Sequence, residues 1–293
     1  MSTRGSKVIL VTGATDGLGK QVARDLAARG MTVLLHGRSQ AKGEATLREI
    51  EEATGRHNLA YYNADFSSLD AVRRLADEIQ ADQEHLDVLI NNAGIGAGSR
   101  RARRRESADG YELRFAVNYL APFLLTHRLL LFLRRSAPAR IVNVASVGQE
   151  PIDFGNVMLA DGYDGLRAYR QSKLALVMFT FDLAEELAGS GITANCLHPA
   201  SLMDTKMVSA TDYFGPVMTT VEEGADAVEY LALSGEVEGV TGEYFDGTQR
   251  ARANPQAYDR EARRRLRTFS EQLVGLKEPR EWAGSLSMDE LQS

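Results

Sequence analysis

The sequence predicts an α/β protein: a single doubly wound parallel sheet with helices on both faces and a C-terminal helical extension. Three observations predict it. Short apolar runs alternate along the chain with segments whose apolar residues recur at helical spacing, the mark of strand–helix–strand units. The runs are apolar at nearly every position, as in strands covered on both faces. The first run passes through a glycine-rich turn straight into a helical pattern.

The elements follow in order. Residues 7–11 form the first strand, and residues 20–30 a helix with Val22, Ala23, Leu26 and Ala27 on one face. Residues 31–36 are the second strand, 40–53 a charged, periodic helix and 59–63 the third strand. A helix runs from 69 to about 81, and the fourth strand covers 86–90. A long helix spans about 110–134, residues 140–145 are the fifth strand, and 166–188 are helical. The sixth strand is 192–197, followed by a helix near 221–233 and a strand near 242–245. The sheet therefore occupies residues 6–247. The extension, 248–293, holds a basic helix at about 255–273, which packs on the domain or on a partner subunit, and a polar end that frays. No internal repeat and no Pro- or Ser-rich linker interrupts the pattern.

Bulk properties exclude several classes of function. A net charge of −6 argues against a general nucleic-acid binder. One cysteine, Cys196, rules out a disulfide framework and reads as a small buried hydrophobe. The five histidines show no metal-ligand spacing, so no metal is expected. No signal core precedes the first strand. The greasiest region, residues 119–133, is broken by Pro122, His127 and Arg128 and is too short to span a bilayer. A cytoplasmic protein without stable membrane insertion is the expectation.

Two features carry chemistry. The first is Thr12-Gly13-Ala14-Thr15-Asp16-Gly17-Leu18-Gly19, placed between a strand and a helix. Glycines let the backbone turn tightly and approach a pyrophosphate, and free N–H groups at the helix start receive its charge. The alternative is a plain strand-to-helix turn. The second is Tyr169 with Lys173. Four residues apart on a helix, they share a face, which brings an ammonium near a phenol. Alone that spacing describes many surface pairs; it gains weight from Ser146 upstream and from the glycine turn. A free Tyr has a pKa near 10, and a charge about 4 Å away at an effective dielectric near 20 supplies roughly 4 kcal/mol, on the order of three pKa units before screening.

With these residues in hand, the chain resembles the short-chain dehydrogenase/reductase family. It carries Thr12-Gly13-(x)3-Gly17-x-Gly19, Asp65, Asn91-Asn92-Ala93-Gly94, Asn118, Ser146, Tyr169-(x)3-Lys173 and His198-Pro199 in the family's order. The resemblance covers about residues 6–247 and is closest to the retinol-dehydrogenase-like and protochlorophyllide-reductase-like branch. The long interval from Ser146 to Tyr169 and the run Phe115-Ala116-Val117-Asn118 suggest that branch.

The resemblance implies a Rossmann-type sheet and these roles. Tyr169 is the general acid in carbonyl reduction and the general base in alcohol oxidation. Lys173 lowers the phenol pKa and bonds the nicotinamide ribose. Ser146 holds the substrate oxygen as charge develops. Asn118 keeps a water in the proton path, or satisfies backbone freed near Pro122. Gly13, Thr15, Asp16, Gly17, Leu18 and Gly19 receive the pyrophosphate. Asp65 with Phe66 meets the adenine, unless Asp65 is only a turn residue. Asn92, Ala93 and Gly94 line the adenosine ribose, and Thr205 bonds the carboxamide.

Strand two ends in His36-Gly37-Arg38 with no acidic residue. An Arg fork matches a 2′-phosphate, so NADP is favoured over NAD, unless Arg38 merely opens the next loop. Asp16 weighs slightly against that choice. The family's usual Pro-Gly after strand six is Pro199-Ala200 here, and Thr205 lies one residue late.

The substrate pocket is expected from residues 147–168 and 200–220, with Leu159, Tyr163, Leu202, Met203, Met207, Tyr213 and Phe214 lending it an apolar character, unless these side chains only pack the lid. A hydrophobic small-molecule carbonyl or alcohol follows as substrate, with ketone reduction the favoured direction. The rivals are reduction of a conjugated C=C bond and a NADP-binding sensor without turnover. A homo-oligomer is possible. Residues 100–105 hold five arginines in six positions, read as a solvated loop with anion binding as the alternative.

Overall fold

The computed structural model describes residues 6–213 and 215–276. Its centre is an eight-stranded sheet in the order β3-β2-β1-β4-β5-β6-β7-β8. The strands are β1 (Val8–Val11), β2 (Thr32–Gly37), β3 (Leu59–Asn63), β4 (Val88–Asn91), β5 (Ala139–Val144), β6 (Ile192–His198), β7 (Tyr244–Asp246) and β8 (Gln249–Ala251). The first seven run parallel, and β8 returns antiparallel along β7. The wholly parallel sheet expected from the sequence thus gains one antiparallel edge. Chain order reverses direction between β1 and β4, the topological switch at which such sheets open a crevice.

Strand alternation sorts the core into two layers. Ile9 and Val11 of β1, Val88 and Ile90 of β4, and Val142 and Val144 of β5 face the layer built with α1 (Gly17–Ala28) and α8 (Val221–Leu233). Leu10, Leu89 and Ile141 face the opposite layer, built with α3 (Leu69–Asp82), α5 (Ala121–Arg135) and α6 (Gly165–Glu186). The central strands β1, β4 and β5 bury both faces, which is why they read as continuous apolar runs. The remaining helices are α2 (Gln40–Thr54), the short α4 (Leu113–Phe115) and α7 (Lys206–Ser209), and α9 (Arg260–Val274).

Several boundaries differ from expectation for physical reasons. Helix α1 begins at Gly17, not residue 20, because the Asp16 side chain caps it by accepting from the Gly17 N–H at 3.0 Å. The long helix starts at Leu113, where Glu112 accepts from the Phe115 N–H at 2.8 Å. It also contains a π-helical turn over Ala116–Leu120. From Leu113 to Arg135 it is long and apolar enough, by composition, to cross a membrane, so it is not too short as read from residues 119–133 alone; most of the stretch is buried inside the fold.

Beyond residue 247 the chain adds β8 and then α9, which packs against α6. The Tyr119 and Ser270 hydroxyls lie 2.6 Å apart, the Tyr111 hydroxyl donates to the Leu273 carbonyl at 2.9 Å, and Arg263 meets Glu185 at 2.5 Å. The polar end expected to fray, 277–293, lies outside the described residues.

Candidate active site

The glycine turn sits between β1 and α1, at the carboxyl end of the sheet. Gly13 (φ 68°) and Gly17 (φ 48°) occupy the left-handed region. A Cβ at Gly13 would stand 2.8 Å from the Ala93 Cα, and one at Gly19 would stand 2.3 Å from both the Gly13 carbonyl oxygen and Asn92 Nδ2. Only bare backbone fits. Leu18 and Gly19 lie in the first helical turn, whose N–H groups have no intrahelical acceptor. The Thr15 side chain packs against Gly37 at the end of β2.

Beneath the turn lies a residue the sequence reading missed. His36 is buried, accepts from the Gly13 N–H at Nδ1 (3.3 Å), places Nε2 3.0 Å from the Ala64 carbonyl and stacks on Phe66 at 4.2 Å. These contacts assign the proton to Nε2. Burial holds its pKa down at about 4, so it serves as a neutral strut. Asn92 and Ala93 also serve the turn. The Asn92 N–H (2.9 Å) and Ala93 N–H (3.0 Å) donate to the Thr12 hydroxyl, and Asn92 Nδ2 donates to the Thr12 carbonyl at 2.8 Å.

Four further residues gather at the ends of β4 and β5. A Cβ at Gly94 would lie 3.2 Å from Asn118 Oδ1 and 3.7 Å from the Lys173 Nζ, and one at Gly148 would lie 3.4 Å from Ser146 Oγ and 3.8 Å from the Tyr169 ring. Helix α6 carries Tyr169 and Lys173 on its buried side, 8% and 3% exposed. Asn118 stands in the π-helical turn. Its Oδ1 accepts from the Ile95 N–H (2.8 Å), and its Nδ2 donates to the Ile95 carbonyl and to Ser172 Oγ, both at 3.0 Å. Ser172 in turn donates to the Tyr169 carbonyl at 2.7 Å. Pro122 has no N–H, so the Asn118 carbonyl four residues earlier has no α-helical donor.

Burial pushes the Tyr169 phenol above its ordinary value, and only a hydrogen bond with Ser146 opposes it. The Lys173 ammonium donates to the Val144 carbonyl at 2.8 Å, and burial lowers its own pKa to about 8. A lysine near 8 is correspondingly closer to giving up its proton at neutral pH.

The remaining predicted residues are spread around this centre. Arg38 is exposed just beyond β2, and among the described residues it meets no carboxylate at ion-pair distance. Asp65 is exposed and accepts from the Ser67 N–H at 2.9 Å. Thr205 caps the start of α7 and lies over the glycine turn, its Cγ2 3.2 Å from where a Gly17 Cβ would be. Beside it, Lys206 forms an ion pair with Asp16 and is the main cause holding that carboxyl below its usual value. The sequence reading treated Asp16 as an uncompensated negative charge; Lys206 neutralises it.

The lid residues divide. Met207 packs against Gly96, Met203 against Gly224, and the Tyr213 hydroxyl donates to Asp164 at 3.1 Å. Leu159 (φ 45°) is only 1% exposed, so it packs inside the segment and does not line an open pocket. Leu202 (φ 51°) is part-buried. Phe214 lies outside the described residues. A cavity of about 510 Å³ between Phe154, Val157 and α9 touches none of the residues above. No cluster of His, Cys, Asp or Glu suited to a metal ion occurs among the described residues.

A second missed residue is Arg114, 6% exposed. Its Nε donates to the Gly96 carbonyl at 2.9 Å, and its terminal nitrogens reach the Ala97 carbonyl, the Tyr163 hydroxyl and Glu112 (3.4 Å). Glu112, 1% exposed, also accepts from Tyr163 at 3.1 Å. One turn of helix thus clamps three successive residues of the loop after β4, Asn118 holding Ile95 and Arg114 holding Gly96 and Ala97.

The model of the short chain dehydrogenase family matches residues 7–213. The chain is 38% identical to human retinol dehydrogenase 13, over 93% of this chain and 86% of that protein. It is likewise 38% identical to retinol dehydrogenase 11 of Mus musculus, over 94% and 88%. A solved short chain dehydrogenase from Escherichia coli, complexed with NADPH, superposes with a TM-score of 0.67 at 28% identity, over 82% of this chain and 96% of that one.

Proposed function

The chain belongs to the short-chain dehydrogenase family, and from that premise we propose that it is a NADP(H)-dependent oxidoreductase acting on a carbonyl or secondary alcohol of a hydrophobic small molecule, working chiefly as a ketoreductase. The observation that carries this reading is the convergence of Ser146, Tyr169, Lys173 and Asn118 around Gly94 and Gly148, beside a turn that admits only backbone. Bound NADPH supplies the hydride. The chain's residues fit such a group. Gly13 and Gly19 admit no side chain, so the backbone there can approach a pyrophosphate, and N–H groups in the first turn of α1 lack an intrahelical acceptor. Arg38, exposed past β2 and at ion-pair distance from no carboxylate among the described residues, suits a 2′-phosphate, and Lys206 removes the electrostatic objection of Asp16.

Tyr169 gives its phenolic proton to the carbonyl oxygen as charge builds there, and Ser146 donates a hydrogen bond to the same oxygen. A raised phenol pKa suits an acid that must keep its proton until the substrate takes it. Lys173, lowered to about 8, returns a proton towards Tyr169. The Asn118 carbonyl, without an α-helical donor, offers an acceptor where water can resupply Lys173.

The test is NADPH consumption against a panel of hydrophobic ketones, aldehydes and quinones, with NADH and the Tyr169→Phe variant alongside. Turnover that requires NADPH and falls at least about a hundredfold in Tyr169→Phe supports the proposal. Unchanged turnover in Tyr169→Phe refutes the role of the phenol, and failure to bind either nucleotide refutes the whole reading.

A further inference from the structure

Residues 100–105 place five arginines in a chain whose net charge is −6. The segment follows the loop after β4, on the side where the strands' carboxyl ends open. Two of the five tie it to opposite sides of the cleft mouth. Arg104 donates from Nε to the Met158 carbonyl at 2.9 Å and pairs with Glu106. Arg100 donates from Nε to the Asp212 carbonyl at 3.3 Å, with its guanidinium 5.1 Å from the Tyr213 ring centroid. The loop therefore bridges the 147–168 and 200–220 segments, which flank the catalytic residues.

The other three stand apart. Arg101, Arg103 and Arg105 are exposed, and among the described residues none meets a carboxylate at ion-pair distance. The nearby acids are committed elsewhere: Glu106 to Arg104, and Asp109 to the Leu69 N–H at 3.0 Å. A fork of guanidinium groups matches a carboxylate or phosphate. Beside the same mouth, Val147, Val217 and Met218 are 62%, 51% and 71% exposed, an apolar approach to Ser146 and the lid.

We propose that the substrate is amphipathic, an apolar body bearing the carbonyl and an anionic carboxylate or phosphate end, and that Arg101, Arg103 and Arg105 hold that end at the rim of the cleft. The proposal rests on the oxidoreductase reading and narrows its substrate class. The positive rim also steers an anion towards a protein that otherwise repels it.

The probes are ω-oxodecanoate and its methyl ester, titrated calorimetrically into the NADPH-loaded protein. NADPH binding is measured separately by its fluorescence. The acid is expected to bind about tenfold more tightly than the ester at low salt, about 1.4 kcal/mol. That ratio is expected to fall towards one in the triple variant Arg101→Gln, Arg103→Gln, Arg105→Gln, and to shrink as salt is raised. Equal binding of acid and ester by the wild type, or an unchanged ratio in the triple variant, overturns the proposal. So does a triple variant that loses only adsorption to phosphatidylglycerol vesicles, since the rim would then be a membrane contact. A protein that binds NADPH but discriminates nothing sinks the rim and spares the cofactor reading. One that binds no NADPH sinks the cofactor reading, and the acid-to-ester ratio is then read on the cofactor-free protein.

Discussion

Replacing Arg114 with Leu should be among the most destabilising single changes available near the site. The guanidinium is 6% exposed and faces four acceptors: the Gly96 and Ala97 carbonyls, the Tyr163 hydroxyl and Glu112. Leucine fills much of the volume but supplies no donor. Two carbonyls are left unsatisfied, and Glu112, 1% exposed, loses its positive partner. Removing one member of a buried pair costs about 3–5 kcal/mol, mostly from the charge left behind. With a urea m-value of roughly 3 kcal/mol/M, the unfolding midpoint should fall by roughly 1–1.7 M. Because the cost lies in the stranded carboxylate, adding Glu112→Gln should recover part of it, on the order of 1–3 kcal/mol, although Glu112→Gln alone is destabilising. Urea unfolding of the four proteins followed by circular dichroism measures this cycle. A midpoint shift under about 0.3 M for Arg114→Leu, or a double variant weaker than the sum of the singles, would refute the reasoning.

Three further outcomes are expected. Gly19→Ala places a Cβ 2.3 Å from a backbone oxygen, so the turn must move; overpacking of about 1–3 kcal/mol and loss of nucleotide affinity should follow, seen as a lower melting temperature and a weakened NADPH titration. His36 has a folded pKa of about 4 against 6.5, so below pH 6.5 the unfolded chain takes a proton that the folded chain refuses; its contribution is full above 6.5 and should fall by about 2 kcal/mol between pH 7 and 5. Thermal unfolding of wild type against His36→Gln across that range tests it, and parallel pH dependences would contradict the strut. Lys206→Ala breaks an exposed pair and should change stability by less than about 1 kcal/mol, yet weaken NADPH binding through the exposed charge of Asp16, an effect that added salt should diminish.

How much of this was legible in the chain follows from which contacts are local. The central parallel strands were readable because each buries both faces. β8 was not: Gln249, Arg250 and Ala251 lie on an open edge and offer no apolar run. The start of α1 was misplaced because Gly17 and Gly19, poor helix formers, occupy its first turn, and the cap that starts it is Asp16. Arg114 looked like one more arginine on a helix. Its importance comes from two carbonyls 17 and 18 residues earlier and from Tyr163, 49 residues later.

The sequence by itself determined the class of fold, the glycine turn and the candidate catalytic side chains, because these depend on residue type and on spacing within single elements. Only the tertiary structure decided how their charges are set. Burial raises Tyr169 and brings Lys173 to about 8, Lys206 arrives from 190 residues away to neutralise Asp16, and Asn118 spends its amide on Ile95 and Ser172. Desolvation and ion pairing depend on what surrounds a group in space, and those neighbours are assembled by the sheet and by no single stretch of chain.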